Sequence, residues 1–242
     1  MSDAKYRNFG HYIREGWSTE PKESFTALAS QIEAITPQPS GEHLDVGCAT
    51  GELIGFLAAR YQALRSTGID VFDELLARAR KNVPQAQFVN ASALALPDSF
   101  ADRFDLVTAI GVASVFDETT IATFWANLLR VARPGAIVAV LSPLNEFGVD
   151  TMIRHRKRVE GRPLAWETGW NVFAIDTIRE IVESLGATLQ IERFHFGGRL
   201  EPRPDPVRTW TMATEKDPKQ LTNGLKLLVD HYFMIARKPA KG

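Results

Sequence analysis

His43-Leu44-Asp45-Val46-Gly47-Cys48-Ala49-Thr50-Gly51-Glu52 (HLDVGCATGE) begins as a short apolar run, breaks into small residues and continues into the helical pattern GELIGFLAARY. This is a strand, a glycine turn and a helix start. Glycine allows the backbone to turn tightly and approach a ligand, and the first turn of the helix offers unpaired N–H groups. A loop that cradles a nucleoside triphosphate needs Lys followed by Ser or Thr after its last glycine, and here Glu52-Leu53 follows Gly51. A dinucleotide fingerprint needs G-x-G-x-x-G, which Gly47-Cys48-Ala49-Thr50-Gly51 does not supply, and Glu52 would repel a pyrophosphate. The turn is therefore read against phosphate.

Working outward, apolar runs alternate with helical patterns: HLDVG, GELIGFLAARY, STGIDV, DELLARARKN, AQFVNA, RFDLVTAI, TTIATFWANLLRVA and GAIVAVLSP. The strand-like runs are continuous, as expected of strands buried on both faces. The rhythm predicts an α/β fold with a doubly wound, mostly parallel sheet covered on both faces. One domain over residues 1–242 accounts for it, with an N-terminal helical cap (1–39), a ligand-binding core (40–142) and helical lid insertions at 143–174 and 197–224, where the alternation breaks.

Composition narrows the function classes. With 28 Lys plus Arg against 29 Asp plus Glu, the formal charge is -1, so no global field draws the chain to nucleic acid or an anionic membrane. The single cysteine, Cys48, excludes an internal disulfide and a cysteine-built metal site. The start MSDAKYRNFG lacks the apolar segment of a signal peptide, and no run reaches the roughly 20 apolar residues of a membrane span. A cytoplasmic protein, monomer or homodimer, is the expectation.

Asp45-Val46-Gly47-Cys48-Ala49-Thr50-Gly51 resembles the first motif of the class I S-adenosylmethionine-dependent methyltransferases (acid, apolar, Gly, x, Gly, x, Gly), with Ala49 at the middle glycine. The neighbouring strand ends agree with the resemblance. Ser66-Thr67-Gly68-Ile69-Asp70 ends in an acid 25 positions after Asp45 (70 less 45), near the offset at which a carboxylate meets ribose hydroxyls. Asp73 is the expected cap of the helix that follows. Ala91-Ser92-Ala93…Leu96-Pro97 is similar to the family's Gly-Asp-Ala…Leu-Pro, with Ser92 where many members place Asp. Phe104 to Ile110 matches the fourth strand, and Arg133-Pro134-Gly135-Ala136 the turn before the fifth. The resemblance implies a seven-stranded Rossmann-like sheet whose last two strands form a reversed pair, S-adenosyl-L-methionine as cofactor, and a site built from Asp45, Gly47, Ala49, Gly51, Asp70, Val71, Ser92, Ala93 and Ile110. Asp45 would lie near the cofactor's amino-acid end, where its sulfonium and amino charges make an acid attractive.

The implied reaction is methyl transfer to a hydroxyl or amine of a small-molecule acceptor, with a sugar or nucleotide-linked sugar as the finer reading. A non-catalytic cofactor-binding or scaffold protein is the alternative. In-line displacement asks chiefly for alignment, and for a base only if the acceptor must lose a proton. His195, near the end of the sixth strand, and His155, in the basic cluster Arg154 to Arg158, are the candidate catalytic residues, ahead of His231 and His11. Trp17, Trp166, Trp170, Trp210 and Tyr12 are candidate stacking walls. No metal is expected, since Ile110-Gly111-Val112-Ala113-Ser114 carries no carboxylate pair, and no Asn-Pro-Pro-Tyr motif marks a nucleic-acid substrate.

Overall fold

The computed structural model describes residues 17, 20–156, 158–197, 211–212, 220–221 and 229–240. Helix α1 (Glu23–Ile35) turns Phe25, Leu28, Ala29 and Ile32 inward at helical spacing. There follow β1 (Gly41–Val46), α2 (Glu52–Arg60), β2 (Leu64–Asp70), α3 (Asp73–Asn82), β3 (Gln87–Asn90), β4 (Phe104–Ile110), α4 (Ile121–Val131) and β5 (Ala132–Asn145). Strands β6 (Arg154–His155), β7 (Arg158–Val159), β8 (Arg162–Pro163), β9 (Glu167–Thr168) and β10 (Phe173–Ala174) are two residues each. Helix α5 (Ile175–Ser184), β11 (Thr188–Phe194), β12 (Thr211–Met212), β13 (Gln220–Leu221) and β14 (Asp230–Arg237) close the order.

The sheet runs β11-β14-β5-β4-β1-β2-β3, with β10 extending it alongside β5. Strands β1 to β5 pair in parallel, and β14 and β11 are antiparallel to their neighbours. Both faces are covered, as the continuous apolar strands require. One face packs α4 and α5 through Phe124, Trp125, Leu128, Ile178 and Val182. The other packs α1 and α2 through Leu28, Ile32, Leu53 and Leu57 against Ile137, Ala139 and Phe233. The chain leaves β1 toward β2 and β3, then returns to β4 on the other side of β1, so a crevice opens beyond the carboxyl ends of β1 and β4.

The first insertion departs from the helical expectation. Residues 146–174 form antiparallel ladders β6–β9 and β7–β8. Gly148, Gly161 and Gly169 have positive φ, and Glu160 and Trp170 are left-handed as well, at φ 49° and 64°. Left-handed residues at these places interrupt a helical path through the segment. Only the pair β12–β13 is described in the second insertion, and the region before residue 17, with His11 and Tyr12, lies outside the described residues, as does Trp210. Among the described residues, no helix is long and apolar enough to cross a membrane.

Candidate functional site

At the crevice lies a cavity of about 250 Å³. Gly47 and Ala49 from the turn, Asp70 at the end of β2 and Val71 after it, Ser92 and Ala93 after β3, and Ile110 at the end of β4 all lie on its wall. Asp45 and Gly51 do not line it. Gly51 sets the entry to α2, where its φ of 81° needs a residue without Cβ. Gly47 has φ 73°, and a Cβ there would collide with Val112 across the crevice.

Asp70 is the keystone of this end. Its Oδ2 accepts the Ala49 N–H at 3.0 Å and its Oδ1 the Phe72 N–H at 3.1 Å, tying the glycine turn to the start of α3. The capping role expected of Asp73 is not taken up: Phe72 stands at the N-cap with no side-chain cap bond, and Asp70 fixes only the Phe72 N–H just ahead of the helix. Asp73 instead accepts from Asn90 Nδ2 at 2.9 Å. Burial raises the Asp70 pKa, opposed by the N–H bonds from Phe72 and Ala49. Ala49 holds φ 47°, a left-handed geometry that explains the usual glycine at this position. Ser92 Oγ accepts the Leu94 N–H at 3.1 Å, which leaves its hydroxyl proton to donate.

Asp45 lies beneath the turn, 3% exposed. Its cross-strand partner Thr108 donates to Oδ1 at 2.7 Å. Thr108 Oγ1 is in turn 2.9 Å from His43 Nε2, and His43 Nδ1 is 3.0 Å from Ser66 Oγ. All four side chains are buried. Burial pushes the Asp45 carboxyl up to about 7, against the Thr108 bond and with the Asp70 charge, and pushes the His43 imidazole down to about 3. The sequence reading took this stretch as apolar and missed His43 and Thr108. Their signal was present in it: polar residues at 43, 45, 66 and 108 inside otherwise apolar strands.

The far wall has a different character. Val112, Ser114 and Phe116 follow β4, Pro143 comes from β5, Trp170 from the insertion and His231 from the start of β14. Asn171, buried, clamps the insertion: its Oδ1 accepts the Ile153 N–H, its Nδ2 donates to the Phe116 carbonyl, both at 2.8 Å, and its N–H donates to the Ser114 carbonyl at 2.9 Å. That clamp holds the neighbouring Trp170 at a φ rarely adopted by a bulky residue. His231 sits in register with Pro143 and Phe194. Burial lowers its pKa to about 4, against the charge of Asp230, so its imidazole is neutral at pH 7.

Neither histidine favoured on sequence grounds lies on this wall. His195 is exposed just past β11. His155 is on β6, its Nε2 3.8 Å from the Glu167 carboxylate. Trp166 is 54% exposed, with the guanidinium groups of Arg154 and Arg156 over its ring. Trp17 instead reaches the glycine turn: Nε1 donates to Thr50 Oγ1 at 3.0 Å.

These groups suit the implied cofactor. Two buried carboxyls whose ionisation is opposed by burial flank the turn, and a cation relieves that cost where a pyrophosphate would add to it. Val71, Leu75 and Ala91 give an apolar slot for a base ring beside the hydrogen-bonding atoms of Ser92 and Ala93.

Residues 44–135 match the methyltransferase domain family model. The chain is 26% identical over 194 residues to trans-aconitate 2-methyltransferase of Acidovorax sp. strain JS42, covering 78% of this chain and 67% of the relative. It is 27% identical over 225 residues to the O-methyltransferase cnsE of Penicillium expansum, covering 82% and 79%. Among solved structures it is similar in fold to the 1,6-didemethyltoxoflavin-N1-methyltransferase of Burkholderia thailandensis, with a TM-score of 0.61 at 15% identity over 98% of this chain and 87% of that one. The matched methyltransferase domain spans the ends of β1 to β4 that build one side of the cavity, and it supports the resemblance to the class I S-adenosylmethionine-dependent methyltransferases.

Proposed function

We propose that the protein transfers the methyl group of S-adenosylmethionine to a hydroxyl or amine of a small, ring-shaped, uncharged acceptor, a free sugar among the candidates. The observation that carries this reading is one cavity running from Asp70, at the cofactor end, to His231 and Trp170 at the other. Bound, the cofactor supplies an electrophilic methyl group for in-line displacement. Asp70 would accept from the ribose hydroxyls, Ser92 and the Ala93 N–H would meet the base, and Asp45 would balance the positive charge from below. Gly47, Ala49 and Gly51 shape the turn, and Val71 and Ile110 exclude water.

On the acceptor side, Trp170 and Phe116 offer faces for a ring. His231, a neutral imidazole on the wall, is the group proposed to take a hydroxyl proton. His195 and His155 lie off the wall, so the role proposed for them on sequence grounds passes to His231. Among the described residues the wall carries no Lys or Arg, which suits a free sugar or other neutral ring better than a nucleotide-linked sugar or a polyanion such as the trans-aconitate of the relative's name.

The test is transfer from methyl-labelled S-adenosylmethionine to a panel of free sugars, phenols, ring amines and nucleotide-linked sugars. Labelling of a neutral ring compound, lost at least about tenfold in His231→Asn when the acceptor is a hydroxyl, is expected. Cofactor binding with no labelling across the panel would favour the scaffold alternative.

A further inference from the structure

Beneath the proposed cofactor end, Ser66 on β2, His43 on β1, Thr108 on β4 and Asp45 on β1 form one buried line across three strands. The spacings are 3.0, 2.9 and 2.7 Å in that order. Proton counting along it is restrictive. A threonine hydroxyl has one proton to give, and a neutral imidazole has one N–H and one bare nitrogen. If Asp45 is ionised, Thr108 must donate to it; His43 then donates from Nε2 to Thr108, and Ser66 donates to the bare Nδ1. If Asp45 is protonated on Oδ1, the oxygen that faces Thr108, every bond reverses: Asp45 donates to Thr108, Thr108 to Nε2, and Nδ1–H to Ser66. In both states the three hydrogen bonds along the line are kept, with donor and acceptor exchanged in each.

We infer that Ser66, His43 and Thr108 are positioning residues that hold the Asp45 carboxyl in either charge state through the two tautomers of His43, so that a cationic cofactor expels a proton from Asp45. The balance is closed. The Asp45 proton moves to Thr108, that of Thr108 to Nε2, that of Nδ1 to Ser66, and the former Ser66 proton passes to solvent, one leaving for each carboxylate formed. The inference rests on the cofactor reading above. The groups facing Asp45 favour its neutral form before the cofactor arrives. Asp70, from β2, carries like charge, and the Cys48 thiol in the turn is itself pushed up by burial and by both carboxyls. Thr108, from β4, opposes them with its donated bond. His43 stays neutral because burial holds its pKa near 3, so it acts by tautomer exchange and not by charging.

Two measurements test this on the full chain. In the cofactor-free protein labelled with ¹⁵N-histidine, long-range ¹H–¹⁵N correlation should show His43 neutral from pH 5.5 to 8.5. Its proton should move from Nδ1 to Nε2 with a midpoint near pH 7. A single tautomer throughout overturns the relay, whatever the protein binds. Calorimetric titration with S-adenosylmethionine at pH 6, in buffers of different ionisation enthalpy, should show about one proton released and an affinity that falls up to about tenfold per unit below the midpoint. In Asp45→Asn that release should vanish. Thr108→Val should freeze the His43 tautomer and Thr108→Ser should restore its pH response, whereas a merely structural Thr108 would lose stability with the response intact. Tautomer exchange without any binding at any pH would sink the cofactor reading and the expulsion step together. Binding with no proton release would sink the inference alone.

Discussion

The cofactor end and the acceptor end of the cavity are built by opposite means. At the cofactor end, the backbone of four parallel strands delivers each group: Gly47 and Cys48 N–H both bond to the Ile69 carbonyl at 2.9 Å, and Asp70 locks the turn through two more backbone N–H groups. At the acceptor end, a piece of short ladders is held over the crevice largely by side chains, Asn171 bonding Ile153 and Phe116, Asp150 the start of α5 and Glu146 the Tyr232 hydroxyl, and it presents Trp170 in a strained conformation. Sheet hydrogen bonding makes the first a fixed feature of the fold. Side-chain bonding makes the second adjustable without disturbing the core, which is where acceptor choice is best placed.

That contrast can be broken. Asp70→Ala removes both the proposed ribose acceptor and the lock on the turn, and should weaken cofactor binding by about 3 kcal/mol, roughly a hundredfold, in calorimetry. Asn171→Ala leaves two backbone groups unmet at the other end. It should cost about 2 kcal/mol locally, raise the acceptor KM and speed amide exchange at Ile153, with S-adenosylhomocysteine affinity kept within about threefold. Loss of cofactor affinity in that variant would mean that the two ends are one unit.

Acid should sharpen the comparison. The His231 pKa is depressed from 6.5 to about 4, so its contribution to stability is full above pH 6.5 and lost as pH falls through that window; His43, lowered to about 3, acts in the same direction. Asp45, raised to about 7, opposes them, since its burial costs more as pH rises from 4 to 7. His231→Asn should therefore lose less unfolding free energy between pH 6.5 and 4.5 than the parent chain, by up to about 1.4 kcal/mol per unit of pH, as read from denaturant unfolding. The smallest effect is expected of Ala49→Gly. Relief of a left-handed alanine is offset by a freer unfolded chain, and the shift in stability should stay within about 1 kcal/mol.

What was legible in the sequence follows the same division. Gly47, Gly51 and Asp70 declare themselves because their roles are local or lie one strand over, at a spacing that the βαβ unit fixes. Thr108 and His43 did not, since their meeting depends on the β1–β4 and β1–β2 register, which no local pattern encodes. Trp170 was named as a possible wall without its strain, and His231 was ranked below His195 because strand numbering alone does not say that β14 lies between β11 and the crevice. In the antiparallel β14 it is the first residues, not the last, that lie at the carboxyl ends of the parallel strands. The ladders at 146–174 were hidden because two-residue strands have no readable period.

The central claim is that the turn, Asp45 and Asp70 form a site for a cationic nucleoside cofactor. Thermal unfolding with and without S-adenosylmethionine, in the parent chain and in Asp70→Ala, tests it most directly. The account predicts that ligand at about a hundred times its Kd adds about 2.7 kcal/mol and raises Tm by roughly 5–10 °C, and that Asp70→Ala at the same concentration shows at most a small fraction of that shift. An unchanged Tm in the parent chain would contradict it.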